Sequence, residues 1–175
     1  MKKITRYKGV DLVETRTKIK VHATKHQTWS VLSQYGNVST FHAAVELSVA
    51  KGDDRACLGN QRTCIIMDGK REIMMVEKII EFKEGAFYRY EVCKSKNFPI
   101  EIMLYAFSLE KGIHKNTTLS IIQNYKLNPA FLTHLLYGKI KEKQQEILMG
   151  YKNYIETGAK NVPITLLKQK EYQFE

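Results

Sequence analysis

Arg62 and Glu77 are charged residues whose neighbours of the same parity are apolar: Cys64 and Ile66 for Arg62, and Ile73, Met75 and Ile79 for Glu77. Residues two apart share one face of a strand, so both side chains can point into an apolar chamber. Buried charge is costly unless it is paired or engaged by a ligand. Pointing inward, Arg62 could orient a carbonyl or carboxylate while Glu77 held it or moved a proton. The plainer readings are a purely structural ion pair, or two charges at a wet sheet edge. A second set is Tyr88, Tyr90, Gln123 and Tyr125, with Leu119 and Ile121 sharing the parity of the last two. A phenol in an apolar setting needs a partner, which a ligand oxygen can supply; packing in the core is the alternative. Met74, Met75 and Met103 on strands and Met149 on a helix suit either a forgiving pocket or irregular core.

The remaining reactive residue types are scattered. Histidines stand at positions 22, 26, 42, 114 and 134. His22 and His26 straddle a strand-to-helix junction and lack a third ligand, so no metal is expected. His42, beside Phe41, suits a surface position, or more sharply an acid or base at a pocket mouth. Cys57, Cys64 and Cys93 have no partner motif and read as reduced, with Cys64 and Cys93 packed on strands. Nothing resembles a phosphate-cradling glycine loop or a serine-histidine-acid set, so no cofactor is expected.

The elements that must position these residues are legible. Leu12–Val21 alternates, with Val13, Thr15, Thr17, Ile19 and Val21 on one face. Thr24 and Gln27 form a capping box for a helix bearing Trp29 and Leu32, stopped by Gly36-Asn37. A short second helix covers Ser39–Ala44. Five strands follow: Val45–Ala50, Leu58–Met67, Arg71–Phe82, Ala86–Val92 and Ile100–Leu109, with Thr117–Leu127 as one more extended segment. Asp68-Gly69 is a hairpin turn. Asn128 as cap and Pro129 in the first turn predict one helix running to Thr157, with Gly158 as its C-cap. At 1.5 Å per residue such a helix spans about 43 Å. Leu132, Leu136, Ile140, Ile147, Tyr151 and Ile155 form its apolar stripe, with Lys141, Gln145, Lys152 and Glu156 opposite.

Short turns between successive strands predict an antiparallel sheet, and only the last helix is long enough to cover it. The expected fold is α+β, in the order β-α-α-β-β-β-β-β-α: a curved antiparallel sheet wrapped around a long C-terminal helix. Residues 1–160 form one domain and 161–175 a short polar tail. A bent sheet cannot close fully on a straight rod, so a gap lined by inward side chains is expected. Its lining is expected from Trp29, Phe41, Arg62, Cys64, Met75, Glu77, Tyr88, Tyr90, Leu119, Ile121, Gln123, Tyr125, Leu136, Ile140 and Ile147.

The order of elements resembles the START and birch-pollen-allergen superfamily, in its polyketide cyclase-like and lipid-transport-like branch. The resemblance covers roughly residues 12–157 and rests on several segments. These are Ala23–Leu32 with Tyr35-Gly36-Asn37, Leu58–Cys64 with its Gly59 and Arg62, Met75–Ile79 with Glu77, Tyr88–Val92, Thr117–Tyr125 and Asn128-Pro129. One departure stands at Thr40-Phe41-His42-Ala43, where a tryptophan-proline pair is usual; Phe41 can still serve as an aromatic lid. The resemblance implies a helix-grip fold and a small hydrophobic ligand such as a lipid, isoprenoid or polyketide. A metal-free cyclase or dehydratase and a protein-interaction module are the alternatives it leaves, the enzyme using Arg62, Glu77 or a tyrosine.

Net charge is +10, from 28 basic and 18 acidic residues among 175. The cations alternate with apolar or acidic positions rather than forming a block among aromatics, so a solvated basic surface is expected and a nucleic-acid partner is not. No apolar run is long enough to span a bilayer, and no apolar signal core follows the basic Met1–Arg6. A cytoplasmic location is expected. Nothing in the sequence sets an oligomeric state.

Overall fold

The computed structural model describes residues 3–113 and 115–175; Met1, Lys2 and His114 lie outside them. A short strand β1 (Ile4–Tyr7) turns back into β2 (Val10–Val21), followed by α1 (Lys25–Leu32), a single 3-10 turn (Tyr35–Asn37) and α2 (Val38–Phe41). Strands β3 (Val45–Lys51), β4 (Gln61–Asp68), β5 (Arg71–Lys83), β6 (Phe87–Lys96), β7 (Ile100–Lys111) and β8 (Thr117–Leu127) come next. The helices α3 (Phe131–Leu135), α4 (Tyr137–Thr157) and α5 (Ile164–Leu167) follow them. The eight strands form one sheet in the order β1-β2-β8-β7-β6-β5-β4-β3, and every neighbouring pair is antiparallel. This is the α+β helix-grip fold, with α4 lying against β2 and β8 in the concave side of the sheet.

Local chemistry explains the elements. Thr24 and Gln27 complete the capping box of α1, and Gly158 closes α4 in the left-handed conformation at φ 72°. On β2, Val13, Thr15, Thr17, Ile19 and Val21 are all buried. Register shifts in the β5–β6 pairing between Val76 and Glu77 and between Ile79 and Glu81 are irregularities of the kind that bend a sheet.

Two expectations need correction. The predicted single helix from Asn128 is two: α3 starts at Phe131, and α4, 21 residues long, starts after Leu136, whose ψ of 5° interrupts the helical path. At 1.5 Å per residue α4 spans about 32 Å rather than 43 Å. Strand β1 was not expected. It pairs with β2 and covers the outer face, where Glu14 is buried beside Lys3 and Asn124. The tail folds back on the domain and its end bridges to β2. Leu167 is buried, Lys168 bridges Glu142 at 2.7 Å and Glu146 at 2.9 Å, and Glu175 exchanges backbone hydrogen bonds with Lys18.

Under α4 the packing is partly polar. Gln144, fully buried, donates from Nε2 to Thr15 Oγ1 at 2.7 Å and accepts at Oε1 from Thr17 Oγ1 at 3.0 Å. Its Nε2 also lies 3.3 Å from Gln123 Oε1. Further along, Gly150 lets α4 meet α2: a Cβ there would collide with the carbonyl oxygen of Phe41, so no side chain fits without displacing α2. Among the described residues, no helix is long and apolar enough to cross a membrane.

Candidate functional site

Between the sheet and the helices lies a cavity of about 380 Å³. Ile66 of β4, Ile73 and Met75 of β5, Met103 and Phe107 of β7, and Ile140 and Ile147 of α4 make its apolar walls. Leu132 and Leu136 close one side. Phe98 and Pro99, in the turn between β6 and β7, meet them there.

The sheet register puts Arg62 directly across from Glu77. Both are buried; Arg62 Nε donates to Glu77 Oε2 at 2.5 Å, and Arg62 Nη1 donates to the carbonyl of Tyr35 at 2.7 Å. The guanidinium also lies over two rings, 4.1 Å from the centroid of Tyr35 and 5.1 Å from that of Tyr90. Burial is the largest influence and opposes its charge, but Glu77 with Cys64, Tyr35 and Tyr90 together outweigh this and hold it protonated. Burial pushes the Glu77 carboxyl up, against the pull of Arg62. The pair is thus neutral overall, held by aromatic faces on one side and open to the cavity on the other.

His42 is the one histidine among the described residues of the wall. It is buried rather than on the surface, because the contact of α2 with α4 at Gly150 folds it inward. Its Nδ1 lies 3.1 Å from the backbone nitrogen of Ala44 and accepts that hydrogen, which places the ring proton on Nε2. Burial lowers its pKa to about 4.

Of the residues singled out from the sequence, Arg62, Cys64, Met75, Glu77, Tyr90, Gln123, Leu136, Ile140 and Ile147 line the cavity. The other six lie elsewhere. Trp29 packs on Phe82 and Tyr88, with Nε1 donating to Glu84 at 2.7 Å. Phe41 stacks on Tyr151 and Tyr154 rather than forming a lid. Tyr88, Leu119 and Ile121 are solid core, and Tyr125 donates its hydroxyl to the carbonyl of Thr133 at 3.1 Å. Cys64 is buried and its thiol pushed up to about 11, whereas Cys93, expected to be packed, is exposed. Tyr105, on the face of β7 shared with Met103 and Phe107, was missed although that parity was available. Among the described residues no cluster of His, Cys, Asp or Glu could hold a metal ion.

No known protein family matches the chain by sequence, and no curated protein does. Its shape does match solved structures. The chain is similar to Ara h 8.0201, at 13% identity and a TM-score of 0.67, over 82% of this chain and 97% of that one. A protein from Thermus thermophilus gives 12% and 0.69, over 81% and 96%. The Zhui aromatase/cyclase from Streptomyces sp. R1128 gives 10% and 0.66, over 84% and 98%. At these identities the likeness is one of fold: the helix-grip architecture.

Proposed function

We propose that the chain binds a small, largely apolar molecule with one hydrogen-bonding group, held in the cavity beneath α4. The observation that carries this is the wall itself: mostly apolar, with the internally neutralised pair Arg62 and Glu77, the neutral polar groups of His42 and Gln123, and the charged Asp68, Arg71, Lys139 and Lys143 also in its lining. About 300–1,000 Å³ is the usual size of a small-molecule site, and this cavity of about 380 Å³ falls inside that range. Lipids, isoprenoids and polyketides of modest size meet these demands. The free thiols of Cys57, Cys64 and Cys93 support a reducing compartment such as the cytoplasm.

The test has two arms. Native mass spectrometry of the protein purified from its own host is expected to show a co-purified small molecule. In the second arm, Ile147→Trp puts an indole into the free space. It is expected to weaken uptake of an uncharged naphthylamine fluorophore at least tenfold, with the melting temperature unchanged. Equal uptake by both proteins would place the probe elsewhere and end the reading.

A second reading, a cyclase or dehydratase acting on a poly-carbonyl substrate, is favoured by one observation. Glu77 has a carboxyl pushed up by burial, faces the cavity and sits against a fixed cation, an arrangement suited to moving a proton. The likeness to an aromatase/cyclase supports it too. On this reading Glu77→Gln abolishes turnover of such a substrate while fluorophore uptake survives; on the carrier reading neither protein turns it over.

A further inference from the structure

The short helix α3 has two apolar sides. Leu132 and Leu136 line the cavity, whereas Phe131 and Leu135 point away from it and are 65% and 69% exposed. Residues four apart lie on one face of a helix, so Phe131 and Leu135 form a joint apolar surface beside the cavity mouth. A single exposed leucine needs no explanation, but two large apolar side chains together at an opening do.

The same mouth carries cations. Lys139 and Lys143 stand on the first turns of α4, and Lys70 and Arg71 at the turn joining β4 to β5. All four are exposed or nearly so. The carboxylates near them are Asp68, 3.2 Å from Lys139 and 3.8 Å from Lys143, Glu146, 2.9 Å from Lys143, and Glu72, next to Arg71 in the chain. Among the described residues Lys70 and Arg71 form no ion pair. The excess positive charge agrees in sign with the net +10 of the whole chain.

We propose that this face docks on an anionic lipid bilayer, Phe131 and Leu135 entering the headgroup layer while the four cations meet acidic lipid around the mouth. The inference rests on the ligand reading of the cavity, and it names where such a ligand is taken up or delivered. An apolar molecule partitions into bilayers, so a mouth held against the surface spares it a passage through water. Apolar side chains beside Lys and Arg are the general means by which peripheral proteins bind acidic membranes. A second copy of the chain fits this face less well. Two such mouths brought together would oppose one cationic ring to another, and like charges across an interface repel.

The experiment is co-sedimentation with vesicles, using the full chain. The protein is expected to pellet with vesicles of equal parts phosphatidylglycerol and phosphatidylcholine and to stay in solution with phosphatidylcholine alone. Raising the salt should release it. The double variant Phe131→Ser/Leu135→Ser is expected to bind the acidic vesicles at least tenfold more weakly, with its melting temperature and fluorophore uptake unchanged. Lys139→Gln/Lys143→Gln should weaken binding several-fold and reduce the salt dependence. Equal vesicle binding by the serine variant and the parent would overturn the proposal. So would a dimer of the parent that the serine substitutions abolish, since that face would then belong to a second copy. If the parent binds acidic vesicles but takes up no fluorophore, the ligand reading fails while the docking surface stands.

Discussion

Replacing Glu77 with alanine is expected to lower the unfolding free energy by about 3–5 kcal/mol, read by urea denaturation at neutral pH. The cost comes from what remains. Arg62 is 4% exposed, and its Nε would lose a partner at 2.5 Å. Its remaining bond to the Tyr35 carbonyl and its two aromatic neighbours cannot neutralise the charge. The double replacement Arg62→Met/Glu77→Leu is expected to recover most of the loss, because a buried pair and its apolar counterpart differ little in net stability. A loss under about 1 kcal/mol for the single variant would mean that Arg62 escapes to solvent through the cavity.

The second large effect depends on pH. His42 has its pKa lowered to about 4 in the folded protein, from an ordinary value of 6.5, because burial disfavours the imidazolium. Glu146 pulls in the opposite direction and Lys143 reinforces the lowering. A group with a depressed folded pKa is neutral in the native state while the unfolded chain still takes up its proton. Its contribution is therefore intact above pH 6.5 and is lost as the pH falls through the window down to about 4. A difference of this size corresponds to roughly 3 kcal/mol at 1.36 kcal/mol per pKa unit. His42→Asn keeps an acceptor for the Ala44 N–H but cannot titrate. Between pH 7.5 and 4.5 the parent is expected to lose about 2–3 kcal/mol more stability than this variant. Parallel curves for the two proteins would show that His42 takes up its proton as readily in the folded chain as in the unfolded one.

Strand parity made much of this site legible before any coordinates. Alternation alone places Arg62 with Cys64, and Glu77 with Met75, on the inner face, and that is where they lie. Parity could not say where along the inner face the packing stops. Tyr88, Leu119 and Ile121 point inward as Tyr90 and Gln123 do, yet they meet Trp29, Phe107 and other core side chains and leave no space. The division depends on the course of α4, which is a property of the assembled layers. The break at Leu136 was hidden for a related reason: the apolar spacing runs from Leu132 through Leu136 to Ile140 without a fault. Gly138, a poor helix former one residue into α4, was the available hint. The burial of His42 depends on the close approach of α2 and α4 at Gly150, a contact between segments more than a hundred residues apart in the chain.

Gln144 has a bearing on what the cavity can hold. Apolar stripes tolerate sliding: a helix shifted by one turn, about 5.4 Å, still offers methyl groups to the strands beneath. Such a slip would bring Ile140 or Leu148 over Thr15 and Thr17, stranding two hydroxyls and the Gln123 amide. Each orphaned group costs about 1–3 kcal/mol. The hydrogen bonds act as a detent that gives α4 a single seating, so the length of guest admitted is fixed by polar contacts of which only Gln123 reaches the cavity wall.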